Sequence, residues 1–332
     1  MWEYFRLSGP GYLQSAITLG SGTASACLIG GGKYGYTLLW VQPLAMLTGV
    51  IMFSAIARQT LYTGERPYKV FWENLHPAWA ALWAWSALIA TVLWHFPQYA
   101  LASSVVKMWI DMAGFSISPW VIGIVMLALA IAISWSYAIG AKGIKVYEMA
   151  MKSMVWTILL ALLLVIIKTG VDWGELAKGF LVPRIPRDPK ALTVVLGTIG
   201  ATVGINMVFL YPYSLLKKGW GPEYKGFAYL DLWMSMFLPF VVATSLLIIA
   251  TANTIYGKGI ELKGALEASY VLEPLIGTSM AKVVMGIGLF SMAFSTITLH
   301  MLASGFITCE IFGLPMFGWP YRLSMLVPCI GV

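Results

Sequence analysis

The chain has little charge. Of 332 residues, 11% are Asp, Glu, Lys or Arg, against about a quarter in a soluble domain. Acidic residues are especially few, 14 against 21 basic ones. Three cysteines, Cys27, Cys309 and Cys329, all lie in or beside apolar segments. They form neither a disulfide framework nor a metal-type spacing. There are three histidines, no dense basic run that would suggest a nucleic-acid arm, and no phosphate loop, hydrolytic triad or cofactor motif. An enzyme, a bound cofactor and a nucleic-acid partner are therefore not expected. Residues 1–11 have no apolar h-region, so no cleavable signal peptide is expected.

Apolar residues are abundant instead. They make up 59% of the chain, and the mean hydropathy is +0.80. A membrane-spanning helix takes roughly 20 mostly apolar residues. The pattern predicts spans near residues 12–29, 36–56, 79–105, 120–138, 154–167, 191–216, 229–252 and 280–307, with a ninth beginning near Tyr321. Residues 171–180 read as a short interfacial helix, and an acidic-basic helix is expected at 261–270. Trp72, Trp79, Trp120, Trp173, Trp220 and Trp319 fall near span ends, where an interfacial aromatic belt accounts for them. The chain thus reads as an all-α polytopic membrane protein whose first partner is the lipid bilayer. A monomer is expected. Dense basic residues in the short loops place the N-terminus in the cytoplasm and the protein in the cytoplasmic membrane.

The first span contains Gly20-Ser21-Gly22-Thr23. Glycine costs about 1 kcal/mol against alanine in a helix interior. A break there frees backbone groups that a membrane tolerates only inside protein or beside a water-filled cavity. A second glycine break falls near Gly204, five spans later. Interrupted helices at corresponding positions of two halves mark the solute site of an inverted-repeat transporter. The first repeat would cover residues 12–168. The second, 191–332, would need spans six to ten, and this chain reaches the ninth.

A family resemblance rests on Gly9-Pro10-Gly11-Tyr12-Leu13, on the run from Tyr34 through Gly35, Tyr36, Thr37, Leu38, Leu39 and Trp40 to Val41, and on Ser54-Ala55-Ile56-Ala57-Arg58 with Thr63-Gly64. Gly200-Ala201-Thr202-Val203, Phe294-Ser295-Thr296-Ile297-Thr298 and Glu310 continue it. These stretches resemble the NRAMP divalent-metal transporters. The resemblance implies a single transmembrane transporter domain over 1–332, the LeuT-type inverted-repeat fold with helices 1 and 6 broken, and divalent metal transport by alternating access. The functional motifs differ. Where the family reads Asp-Pro-Gly-Asn in its first span, this chain has Gly20, Ser21, Gly22 and Thr23. Where it reads Met-Pro-His in its sixth, this chain has Gly204, Ile205 and Asn206. Val92 and His95 stand where the family has an Asp and a Glu associated with proton coupling.

The expected substrate site is therefore Gly20, Ser21, Gly22, Thr23, Gly204, Ile205 and Asn206. Thr23 and Asn206 are the candidate metal ligands. With no carboxylate there, an ion that keeps most of its hydration shell fits better than a bare metal, since an isolated buried charge costs on the order of tens of kcal/mol. Proton coupling by the family route is expected to be absent. His95, Gln98, Tyr99, Ser295 and Thr298 are candidates for gating or coupling, and His300, a turn beyond Thr296, either lines the same cavity or packs inertly, with packing expected. Asp231 reads as the opening of the seventh span, where a carboxylate favours a helix N-terminus, Glu310 as the partner of a basic residue, and Lys142 and Lys145 as loop residues. Two other readings stay open. A Gly-Ser-Gly turn is also suited to capturing a small organic or anionic solute at a half-helix N-terminus. A non-transporting sensor or scaffold would keep the fold without the cycle.

Overall fold

A computed structural model describes residues 4, 7–259, 273 and 277–331. The helix expected at 261–270, and most of the amphipathic start at residues 2–6, lie outside the described residues.

The chain starts with α1 (Pro10–Thr18) and α2 (Ser21–Tyr34), two halves of one interrupted span. Pro10 opens α1, where its missing N–H costs nothing. After a 3-10 turn at Gly35–Leu38 come α3 (Val41–Thr63), α4 (Pro67–Asn74), α5 (Pro77–Met112), α6 (Pro119–Tyr137) and α7 (Ala141–Thr169). The interfacial helix α8 (Trp173–Leu181) follows, N-capped by Asp172, whose carboxylate accepts the Glu175 N–H. A second interrupted span consists of α9 (Pro189–Thr202) and α10 (Ile205–Lys218). Then come α11 (Lys225–Asp231), a π-helical turn (Leu232–Phe237), α12 (Leu238–Thr254) and the long α13 (Thr278–Ile311).

Seven of these helices, counting α9–α10 and α11–α12 each as one, are long and apolar enough to cross a membrane. The halves α1 and α2 add the interrupted first span. Large apolar side chains such as Ile51, Leu93, Ile124, Leu160 and Ile167 are exposed on their outer faces. In water such a surface would be an association hazard, and in a bilayer it is the lipid contact. The chain is a multi-pass membrane protein.

Packing centres on α13, which is buried along almost its whole length and makes its most extensive contacts with α5. Small residues allow this closeness, as is common between helices in membranes. A Cβ on Gly286 or Gly305 would overlap the rings of Trp109 or Tyr321.

Several sequence expectations are corrected. The ninth span is not continuous: a short helix α14 (Gly318–Ser324) gives way to a 3-10 turn at Val327–Gly331, and Pro328 supplies no N–H to extend either. Trp220 is buried, stacked on Tyr224 and edge-on to Phe227, instead of lying in the aromatic belt. Asp231 does not mark a helix start. It is fully buried and accepts hydrogen bonds from the Gly11 N–H at 2.7 Å and the Ser235 hydroxyl at 2.7 Å. Lys142 and Lys145 are in α7, not in a loop.

Ion pairs tie the two halves of the chain together. Glu310 takes the Arg66 guanidinium at 3.3 Å and the Tyr213 hydroxyl at 2.6 Å, which bears out its expected basic partner. Glu148 pairs with Lys218 at 2.8 Å. At the opposite end Asp188 accepts the Tyr34 hydroxyl at 2.7 Å. That bond, the Lys190 N–H and the nearby Lys33 hold its carboxyl below the usual range.

The Asp231 contacts fix α1 against the π-helical turn. Asp231→Ala is expected to cost about 1.5–3 kcal/mol, the range for hydrogen bonds to a charged group, and Asp231→Asn, which keeps an acceptor oxygen, distinctly less. Thermal unfolding in detergent, followed by tryptophan fluorescence, measures both.

Candidate functional site

The first break is a single extended step. Leu19 caps α1, and Gly20, with φ −100° and ψ −171°, caps α2. Ser21, Gly22 and Thr23 are therefore the first turn of α2, and the unwound stretch lies one step before the Gly20–Thr23 turn expected from sequence. The second break is at Val203 and Gly204, as expected.

A helix leaves its last four carbonyls without partners. For α1 these belong to residues 15–18, and all but that of Ile17 have a committed donor. The Ser15 carbonyl accepts the Leu19 N–H at 3.0 Å. The Ser295 hydroxyl donates to Ala16 at 2.8 Å, and the Thr296 hydroxyl lies 3.3 Å from the Ala16 and Ile17 carbonyls and 2.9 Å from that of Met292. The Thr23 hydroxyl donates to Thr18 at 2.6 Å. On the other side of the break, the Ser21 N–H donates to Gln98 Oε1 at 2.9 Å. The second break is satisfied only at its helix start, where Met207 N–H donates to Asn206 Oδ1 at 3.0 Å. Among the described residues, the carbonyls at the end of α9, residues 199–202, have no such partner.

The two breaks face one cavity of about 400 Å³, part of it open to solvent. Gly20, Gly22, Thr23, Gly204 and Asn206 line it, together with Gln98. The remaining candidates are placed elsewhere. Ser21 contributes its N–H to Gln98 while its hydroxyl stays buried without a partner. Ile205 is exposed and is not part of the lining. Ser295 is a cap for α1, and Thr298 donates back to Ser295 at 2.9 Å and lies against the Met151 sulfur. His95 and Tyr99 are buried beside the cavity, ring edge to ring face, with centroids 5.1 Å apart.

Seven cavity residues went unassigned at the sequence level: Ile17, Thr18, Trp94, Gly200, Ala201, Met207 and Thr296. His300 was assigned to inert packing, but it lines the cavity. The only available signal for Thr296 was its place in the Phe294–Thr298 stretch.

Close packing explains the two glycines of the first break. A Cβ on Gly20 would lie 2.9 Å from Thr296 Oγ1 and 3.2 Å from Gln98 Oε1. One on Gly22 would meet the Trp94 ring at 3.1 Å. So the space into which a side chain at residue 20 would project is already filled by α5 and α13.

Charge is absent from the lining. No Asp, Glu, Lys or Arg contributes to it, and no cluster of three His, Cys, Asp or Glu side chains suited to a metal occurs among the described residues. What the cavity offers is oxygen. Thr18 donates its proton to the Gln14 carbonyl at 2.7 Å, and Thr23 and Thr296 also donate to carbonyls. Each of the three hydroxyls can then only accept from anything in the cavity.

Two interrupted spans meeting at a polar cavity inside an apolar bundle define a membrane carrier of the broken-helix class. The Nramp family, described as natural resistance-associated macrophage protein-like, matches residues 11–332, and the chain belongs to it. The divalent metal cation transporter MntH of Nostoc sp. is 25% identical over 338 aligned positions, covering 96% of this chain and 72% of that protein. MntH of Brucella suis is 28% identical over 305 positions, covering 88% of this chain and 64% of that protein. The crystal structure of the Eremococcus coleocola manganese transporter in complex with an aromatic bis-isothiourea substituted compound superposes with a TM-score of 0.76. It covers 99% of this chain and 71% of that one at 16% identity. The fold is the LeuT-type fold of these transporters.

Gln98 joins the break to α5. Gln98→Leu leaves the Ser21 N–H buried and unpaired, and the expected loss is about 1–3 kcal/mol. Gln98→Glu keeps the acceptor and is expected to retain most of the stability. Unfolding midpoints in detergent compare the two.

Proposed function

We propose that this chain is a secondary transporter that carries a divalent metal ion by alternating access, and that the ion sits between the two breaks with most of its water shell. The observation that carries the reading is a set of three acceptor-only hydroxyls: Thr18, Thr23 and Thr296 present lone pairs to the cavity, and the cavity wall also holds Asn206 and the uncapped end of α9. A hydrated cation presents outward-pointing O–H donors, which match such a surface. A bare dication needs an anionic ligand that the lining lacks. The relatives named as divalent metal cation transporters support the cargo class.

Val92 and His95 replace the family's carboxylates, so coupling to protons by that route is absent in this reading. The two broken spans belong to inverted repeats, about 12–168 and 191–332. The basic residues at or near the span ends on one side, Arg58, Arg66, Lys69, Lys217, Lys218 and Lys225 among them, support a cytoplasmic N-terminus.

One observation favours a second reading. The N–H groups of Gly22 and Thr23 have no partner among the described residues, and both residues line the cavity. A half-helix N-terminus of this kind suits a carboxylate. The cargo would then be a small organic anion or zwitterion.

Uptake into liposomes distinguishes the two. Saturable uptake of Mg²⁺ or Mn²⁺ is expected, with no accompanying proton current. Asn206→Ala and Thr23→Ala are each expected to raise KM about fivefold, the equivalent of one neutral hydrogen bond of about 1 kcal/mol. A proton current tracking metal uptake overturns the coupling assignment. Uptake of an amino acid with no uptake of either metal moves the protein to the second reading.

A further inference from the structure

His95 on α5 and His300 on α13 face each other with ring centroids 5.7 Å apart and planes tilted by 45°. The two rings are 0% and 3% exposed. Both nitrogens of His95 and Nδ1 of His300 are buried with no partner among the described residues. Buried polar atoms in folded proteins are nearly always partnered, and each exception asks for an occupant. Three such nitrogens in one pair of touching rings are not accounted for by anything in the hydrated-ion reading. His300 opens onto the central cavity, which gives an occupant a way in.

The ring separation leaves room for one shared ion. Imidazoles bound to a common metal through bonds of about 2.0–2.1 Å place their centroids about 5.2 Å apart at a tetrahedral angle and about 6.4 Å apart at a linear one. The observed 5.7 Å lies between these limits. The charge of the ion follows from the surroundings. The donors are imidazole nitrogens, and the cavity lining supplies no carboxylate. Born cost rises with the square of the charge, so a monovalent ion costs a quarter of what a dication does in the same place. Imidazole suits copper among other metals, and the thioether of a methionine favours its monovalent form. Met207 lines the same cavity as His300.

We propose that the facing His95–His300 pair is a binding site for a soft monovalent transition-metal cation of the copper(I) class, entered from the central cavity. This site adjoins the hydrated-ion cavity through His300, and its ligands are not those proposed for the hydrated ion. The second ring places His95 and His300 in a common role, where the sequence had assigned them different ones. Tyr99 packs edge-on against His95 and holds that ring in place.

Silver(I), which is stable in air, is the probe. The purified full chain with Cys27, Cys309 and Cys329 replaced by Ser removes the thiols that would compete for it. Equilibrium dialysis with metal analysis is expected to show one tightly held Ag(I) per chain. His95→Gln and His300→Thr are each expected to weaken it at least about 100-fold, beyond the 10–100-fold cost of losing a supporting residue around a metal. His76→Gln, at the start of α5 and remote from the pair, is expected to leave it unchanged. Because the cysteine-free protein could fail to fold, X-ray absorption on the unmodified chain loaded with one Ag(I) gives an independent reading. Nitrogen ligation lost in His300→Thr supports the site. Sulfur-only ligation, or affinity indifferent to both histidine substitutions, overturns it, and intact Mg²⁺ or Mn²⁺ uptake in the same preparation would confine the failure to this site.

Discussion

Breaking a helix at membrane depth releases backbone groups that have no water to turn to, and meeting that demand organises the centre of this protein. Three of the last four carbonyls of α1 are given a donor, one by the Leu19 N–H, one by the Ser295 hydroxyl of α13 and one by Thr23 from just beyond the break. The first N–H of α2 goes to Gln98 on α5. Each unpaired group would cost several kcal/mol in hydrocarbon. The arrangement therefore makes α5 and α13 parts of the break itself, which accounts for α13 being buried along nearly its full length and packed most closely on α5.

The same bonds decide what the cavity presents to a cargo. A threonine that spends its proton on a backbone carbonyl has only lone pairs left. Thr18, Thr23 and Thr296 all do so, and all line the cavity. Capping the first break thus converts three amphiprotic hydroxyls into acceptors. The second break is left less completely capped, with the α9 carbonyls uncommitted among the described residues. The two breaks differ in bonding: the first is bonded internally, and the second has backbone oxygen to spare.

Much of this was legible in the sequence. Glycines at 20, 22 and 204 marked two breaks five spans apart, and the apolar runs marked the spans, because both signals are local. The exact position of the first break was not legible, since it depends on Gln98 accepting the Ser21 N–H across 77 residues of chain. The cavity side of His300 was hidden for a related reason. A histidine on a long apolar helix has the same spacing whether it faces a cavity or a neighbour, and only the placement of His95 opposite it separates the two. Asp231 misled because a carboxylate early in a span resembles a helix-start residue, whereas its real partner is the backbone of α1, 220 residues away. The apolar run after Tyr321 looked like a span because hydropathy does not register the missing N–H of Pro328.

The glycine at position 20 shows how far the site has moved from the pattern it resembles. Where the family carries an aspartate, a Cβ would already press on Thr296 and Gln98. Both of those residues are committed, Thr296 to the carbonyls of α1 and its own helix, Gln98 to Ser21. A carboxylate at residue 20 would have to displace both, opening the backbone bonds that make the break tolerable. The glycine at residue 20 and the hydroxyl and amide caps around it therefore belong to one packing arrangement, shared by α1, α5 and α13.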